Sequence, residues 1–265
     1  MALTKVLITV KTYPNISVKY DELVCTAGIK EDGSWVRIYP VQFRKLTYAS
    51  QYKKYDWIEV DLEKNPSDFR PESYRPKSDI NVVGHLDTKN NWEERKNLVL
   101  TKVYTSLNKL ITEAKDKNIC SSLAVFKPSR IIDFIYKPIK REWATKKLAR
   151  LRQLNLFEQQ KDKIEVVRKL PYKFSFTFAD EDGKRSTLMI EDWETGQLYW
   201  NCFQKYNDET KACEDVKKKY FDDFAVTKDL YFFLGTTLQN HYVSRNPFII
   251  IGTFHPKTDN QLKLF

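Results

Sequence analysis

The chain has 265 residues, 42% hydrophobic and 30% charged, enough apolar material for a packed core and too much for wholesale disorder. Its formal net charge is +10 and its pI about 9.2, a field that draws polyanions or, in the plain alternative, serves solubility alone. Seven glycines are few for a Rossmann or P-loop protein, and no run of about 18 apolar residues is present to span a membrane.

Val6, Leu7, Ile8 and Val10 make Lys5 to Lys11 a predicted strand, and this N-terminus lacks the marks of a signal peptide. Tyr13-Pro14-Asn15 reads as a loop and Glu22 to Ile29 as a second strand. Asp32-Gly33 signals a hairpin turn, after which Trp35 to Tyr39 returns as a third strand expected to stop at Pro40. Tyr55 to Leu62 is a fourth strand, and Arg70 to Lys77, with Pro71 and Pro76, is extended. Trp92, Val99, Val103, Leu107, Leu110 and Ala114 recur at helical spacing, so Asn91 to Lys117 is predicted as one helix. Strands at Ser122 to Phe126 and Arg130 to Tyr136 precede a second helix, Glu142 to Phe157. Strands follow at Tyr172 to Phe178 and Arg185 to Ile190, joined by the Asp180 to Gly183 turn. Helices come next at Asp192 to Phe203 and Thr210 to Phe221, then closing strands at Asp229 to Leu234 and Pro247 to Phe254.

Strand signals cluster near 1–80 and 170–255. The pattern implies an α+β fold with a β-rich unit over 1–87, a helical bridge with a basic segment over 88–165, and a β-rich unit with helices over 166–265. A single α+β domain with a split sheet is the other arrangement it allows.

Lys127 to Lys173 holds 14 Lys and Arg against 5 Asp and Glu, a net of +9 that nearly equals the charge of the whole chain. Lys127, Arg130, Arg141, Lys146, Lys147, Arg150 and Arg152 are its candidate phosphate contacts; a solvated helix face is the competing account. A second cluster mixes rings and cations: Trp35, Arg37, Tyr39, Arg44, Lys45, Lys53 and Lys54. Trp35, Arg37 and Tyr39 alternate and so share one strand face, the arrangement on which bases stack and phosphates are met; the alternative places Trp35 and Tyr39 in a core.

Enzymatic signals are weaker. Asp180, Glu181, Asp182, Glu191, Asp192 and Glu194 concentrate carboxylates of the kind two-metal cleavage needs, but turns and helix starts favour acidic residues too. Glu113-Ala114-Lys115 has a nuclease-like spacing inside a charged helix. Cys25 has no histidine near it in sequence, although a distant one can approach in space. Cys25, Cys120, Cys202 and Cys213, with His85, His241 and His255, show no paired metal-ligand spacing. We therefore expect no zinc, no disulfide, no cofactor and no catalytic residue, and reduced thiols in a cytoplasmic protein.

The run Leu23-Val24-Cys25-Thr26-Ala27-Gly28-Ile29, followed by Gly33-Ser34-Trp35-Val36-Arg37-Ile38-Tyr39-Pro40, resembles the first barrel of the dual OB-containing domain family. The likeness covers the first 40 to 60 residues and carries over at Ala27, Gly28, Trp35, Arg37 and Pro40. The resemblance implies two β-barrel-like, OB-like units bridged by helices, and a nucleic-acid-binding accessory or sensor (DNA or RNA) of a prokaryotic antiviral defence system, with a protein partner in a defence complex. A metal-dependent nuclease and an interaction module that docks an acidic protein are the two alternatives.

Overall fold

The computed structural model describes residues 3–17, 21–145, 148–149 and 166–258. β1 (Thr4–Lys11) is buried along most of its length, and its alternating side chains enter two different cores. Val6 and Ile8 join Val24, Val36, Ile38, Ile58 and Val60 in one core, while Leu7 and Val10 join Ala27, Ile29, Phe233 and Phe254 in another. A bulge between Ile8 and Val10 shifts the alternation, so that Val10 rather than Thr9 follows Leu7. Gly28 lies across from this point, and a Cβ there would sit 2.3 Å from the Leu7 carbonyl oxygen, so only glycine permits the approach.

The N-terminal strands are β1, β2 (Asn15–Ser17), β3 (Asp21–Lys30), β4 (Trp35–Val41), β5 (Asp56–Val60), β6 (Leu62–Lys64), β7 (Ser73–Pro76) and β8 (Asn81–His85). They form one sheet in the order β6-β7-β4-β3-β1-β5-β8, with β2 on β3, curled in a way consistent with an OB-like unit. β4 continues through Pro40 to Val41 rather than stopping before it. Its parallel partner β7 pairs only at Arg37 and Ile38, and a register shift separates the Val24–Val41 and Thr26–Ile38 pairs, so the missing proline N–H costs no ladder bond.

The expected helix over 91–117 is two helices with a strand between them. α1 (Lys89–Val99) begins with Asn90, Asn91 and Trp92 at positive φ, and Val103–Tyr104 forms β9. α2 (Leu107–Lys115) restarts at Ser106, whose hydroxyl accepts from the Lys109 N–H as an N-cap. Val103 fits the helical period, but the pairing of Val103 and Tyr104 with β10 (Leu123–Phe126) overrides it. The remaining strands are β11 (Arg130–Pro138), β12 (Tyr172–Ala179), β13 (Arg185–Met189), β14 (Tyr231–Thr236) and β15 (Phe248–Phe254). They form a four-stranded sheet, β15-β14-β10-β9, and a three-stranded one, β11-β12-β13. Thus β10 and β11, within the stretch expected to bridge, pair with C-terminal strands. α3 (Trp193–Tyr206), α4 (Glu209–Lys217) and a π-helical segment, Lys218–Ala225, cover a phenylalanine-rich core that includes Phe134, Phe174, Phe176 and Phe232.

The two halves share the second β1 core. Trp35 packs edge-on to Phe233 at 6.0 Å, and Val99, Leu123, Val125 and Ile251 complete the seam. Of the expected helix over 142–157, only residues 142–145 and 148–149 are among those described. No described helix is long and apolar enough to cross a membrane, and the four cysteines are free thiols.

Candidate nucleic-acid interface

A cleft of about 890 Å³ opens between the curled sheet and the C-terminal half. β3 and β4 contribute Cys25, Arg37 and Tyr39, and the segment from β6 to β7 contributes Asp68, Arg70 and Arg75. Across from them stand Trp143, Lys169, Tyr172 and Lys173 from the basic segment, with Glu191 at the end of β13. Tyr13 also lines the cleft. Its hydroxyl donates to the Arg168 carbonyl and accepts from Trp200 Nε1, both at 2.8 Å. Its ring fits because residue 196 on α3 is glycine, where a Cβ would lie 2.1 Å from the ring.

Arg37 and Arg70 are 2% and 5% exposed, and their guanidinium groups are committed to the protein. Arg37 donates to Ser122 Oγ at 2.7 Å and to the Ser122 carbonyl at 3.1 Å, tying β4 to β10. Arg70 grips Asp68 in a fork, Nε to Oδ1 at 2.8 Å and Nη2 to Oδ2 at 2.6 Å, and donates to the Thr236 carbonyl. Burial would raise the Asp68 pKa, but the Arg70 and Ser73 hydrogen bonds outweigh it and hold the carboxyl at about 2. Burial also raises Glu191 and Cys25 above their ordinary values, Arg37 opposing the shift at the thiol.

The cations left for a ligand are different ones. Arg75 donates to Ser67 Oγ at 2.6 Å and its Nε is buried with no partner among the described residues. Lys169 donates to the Lys140 and Glu142 carbonyls, close to the Trp143 ring. Neither of these, nor Lys173, forms an ion pair with a carboxylate among the described residues. Tyr39, 37% exposed, and Trp143 and Tyr172 offer rings in the same cleft.

The residues singled out from the sequence are scattered by the fold. Trp35 lies in the seam, Arg37 is buried in the cleft, and Tyr39 lines it more openly, so one strand face has three different environments. Glu22 pairs with Arg44 at 2.7 Å. Lys45 and Arg130 are exposed. Lys127 pairs with Asp229, and Arg141 with both Glu209 carboxylate oxygens. Lys53 and Lys54 line a separate pocket, and Lys54 is buried between Asp192 at 3.0 Å and Glu194 at 2.6 Å. Lys146, Lys147, Arg150 and Arg152 lie outside the described residues.

Four of the six carboxylates weighed for metal-assisted cleavage have other occupations. Asp180 accepts from the Leu107 and Lys184 N–H groups, Asp182 from Ser106, and an ammonium, Lys54, sits between Asp192 and Glu194. Glu113 accepts from the Tyr104 hydroxyl, and Lys115 donates to the His241 and Ser244 carbonyls at 2.7 Å. The cysteine that a histidine approaches is Cys120 rather than Cys25: its sulfur lies 3.5 Å from His241 Nε2. That nitrogen also stands 2.8 Å from the Ala114 carbonyl, to which it must donate, while Nδ1 pairs with Thr236 Oγ1. The tautomer so assigned cannot take the thiol proton at Nε2, and the pair is a buried tie between α2 and the loop after β14.

The family model described as "Domain of unknown function (DUF8758)" matches residues 2–101, and the one described as "Domain of unknown function (DUF8757)" matches residues 103–265. The matches meet just after α1, at the start of β9. No curated protein matches the chain.

Proposed function

For this chain, which belongs to the DUF8757 family of domains of unknown function, we propose binding of single-stranded nucleic acid along the cleft between its halves. One observation carries the reading. The cleft joins two features that lie far apart in sequence, the β4 face bearing Tyr39 and the basic segment bearing Trp143, Lys169, Tyr172 and Lys173. Rings accept stacked bases of any identity, and cations without carboxylate partners meet phosphates. Arg37 and Arg70 act as the frame of this site, since their donors are already used.

The curled N-terminal sheet supports an OB-like unit, and we read the β9–β15 half as its second, more divergent counterpart. The resemblance of β3 and β4 to the dual OB-containing domain family supports a role as accessory or sensor in a defence system, with a protein partner.

Fluorescence anisotropy against single- and double-stranded DNA and RNA at two salt concentrations tests the proposal. Single strands should bind more tightly than duplexes. Each phosphate contact steepens log K against log salt by about 0.7 for a single strand, so reversing Arg75, Lys169 and Lys173 to glutamate should flatten the slope by about 2. Unaltered binding by that triple variant, with its fold intact, overturns the proposal.

A further inference from the structure

Thr12 and Asp192 pair across an isolated bridge and line the cleft, whereas their chain neighbours Lys11, Trp193 and Glu194 line a second pocket of about 610 Å³. Its size is that of a small-molecule site. Lys54 is already neutralised there by Asp192 and Glu194, but two other lysines are not. Lys11 Nζ lies 4.0 Å from the Phe43 ring centroid and 4.5 Å from that of Trp193, and it donates to the Tyr52 carbonyl at 3.5 Å. Lys53 is exposed at the same pocket, and neither lysine has an ion-pair partner among the described residues. Burial pulls the Lys11 ammonium down to about 8, with Lys54 adding to the shift and Glu194, Asp192 and Asp56 opposing it.

The rest of the lining suits a planar, hydrogen-bonding group. Trp92 and His255 meet edge to face at 5.2 Å, and the imidazole stacks on Phe224 at 3.7 Å. The Thr253 hydroxyl, on a residue 2% exposed, and His255 Nδ1 are buried polar atoms with no partner among the described residues. A buried polar group without a partner is unfavourable, so a ligand that satisfies both gains affinity from them. Burial and the Lys54 charge hold His255 down at about 4, so it is neutral at pH 7 and has one nitrogen able to accept. The Glu194 side chain is 54% exposed although protein surrounds it, because it opens onto the pocket and can accept from an amine or a sugar hydroxyl.

We propose that this pocket binds a nucleoside monophosphate group, the phosphate held by Lys11 and Lys53 and the base by Trp92, Thr253 and His255. The group is either a free mononucleotide or the phosphorylated end of a strand. The pocket is separate from the cleft, and Lys11, Lys53, Trp92, Thr253 and His255 are not among the residues reversed to test the cleft.

Isothermal titration calorimetry with AMP, CMP, adenosine, inorganic phosphate and a 5′-phosphorylated trinucleotide tests it. A mononucleotide should bind saturably and more tightly than adenosine or phosphate alone. Lys11→Met with Lys53→Met should weaken it by at least about tenfold, as loss of charge-assisted hydrogen bonds does, and Thr253→Val should weaken it several-fold. Lys53→Met alone, at an exposed site, keeps the test valid if the double variant does not fold. At pH 8.5 binding should take up protons as the phosphate restores the Lys11 charge, seen as an enthalpy that varies with the buffer's ionisation enthalpy. The Arg75, Lys169, Lys173 triple variant should bind the mononucleotide as the wild type does. Tighter binding of the trinucleotide than of AMP assigns the site to a strand end, and the reverse assigns it to a free nucleotide. No saturable binding, equal affinity for phosphate alone, or wild-type affinity in the Lys53→Met and Thr253→Val variants overturns the inference.

Discussion

Replacing Lys54 by methionine probes the contact that ties the start of β5 to the start of α3. The Lys54 ammonium is buried and touches Asp192 at 3.0 Å and Glu194 at 2.6 Å. Burial disfavours its charge, yet the two carboxylates hold its pKa above the ordinary value. Methionine keeps most of the volume of the stem but strands Asp192, which is 1% exposed. Stranding one partner of a buried ion pair costs about 3–5 kcal/mol. Glu194, half exposed, adds little to that sum. The pH dependence identifies the cause. Burial already raises the Asp192 pKa, and without Lys54 it rises further, so the folded variant holds a proton that the unfolded chain releases. The deficit against wild type is therefore smallest at low pH and grows as pH climbs from about 4 through the raised pKa. Urea denaturation should show a deficit against wild type of about 3–5 kcal/mol at pH 8 and a smaller one at pH 5. Adding Asp192→Asn should recover much of it. A deficit below about 1 kcal/mol, within the range of surface pairs, or one equal at both pH values, would refute the reasoning.

Trp35→Ala, which opens the seam beside Phe233, should cost about 2–4 kcal/mol of stability and leave oligonucleotide affinity unchanged wherever the variant is folded; melting and anisotropy together decide this. Asp68 has a depressed pKa, so its contribution is present above the unfolded value of about 4 and is lost as pH falls towards about 2; Asp68→Asn should remove that acid limb from the stability profile and cost about 3 kcal/mol at pH 7 by stranding Arg70. Gly196→Ala must displace the Tyr13 ring, so both the melting temperature and cleft binding should fall.

Local signals carried far where the chain pairs with its near neighbours. Asp32-Gly33 does join β3 and β4, with Gly33 at φ 79, and the apolar run of β1 is the strand at the centre of the molecule. They failed where a distant partner decided. Val103 fits a helical period, and the strand character of Val103 and Tyr104 comes from β10, further along the chain. Arg37 is satisfied in its buried position by Ser122 groups that lie 85 positions away. Lys54 read as a surface cation because Asp192 lies 138 positions away. The basic segment was legible as charge, but not that Arg141 and Lys127 would spend theirs on Glu209 and Asp229. Trp143, Lys169, Tyr172 and Lys173 fell inside the marked segment without being singled out, and Arg75 outside it. The fold brings them to one cleft.

Photo-crosslinking tests the central claim most directly. A single-stranded oligonucleotide carrying 4-thiouridine would be irradiated in complex with the protein and the adducts mapped by mass spectrometry. The account predicts adducts at Tyr39, Trp143 or Tyr172, lost in the Arg75, Lys169, Lys173 triple variant. Adducts confined to surfaces outside the cleft, such as the exposed Tyr48, would contradict it.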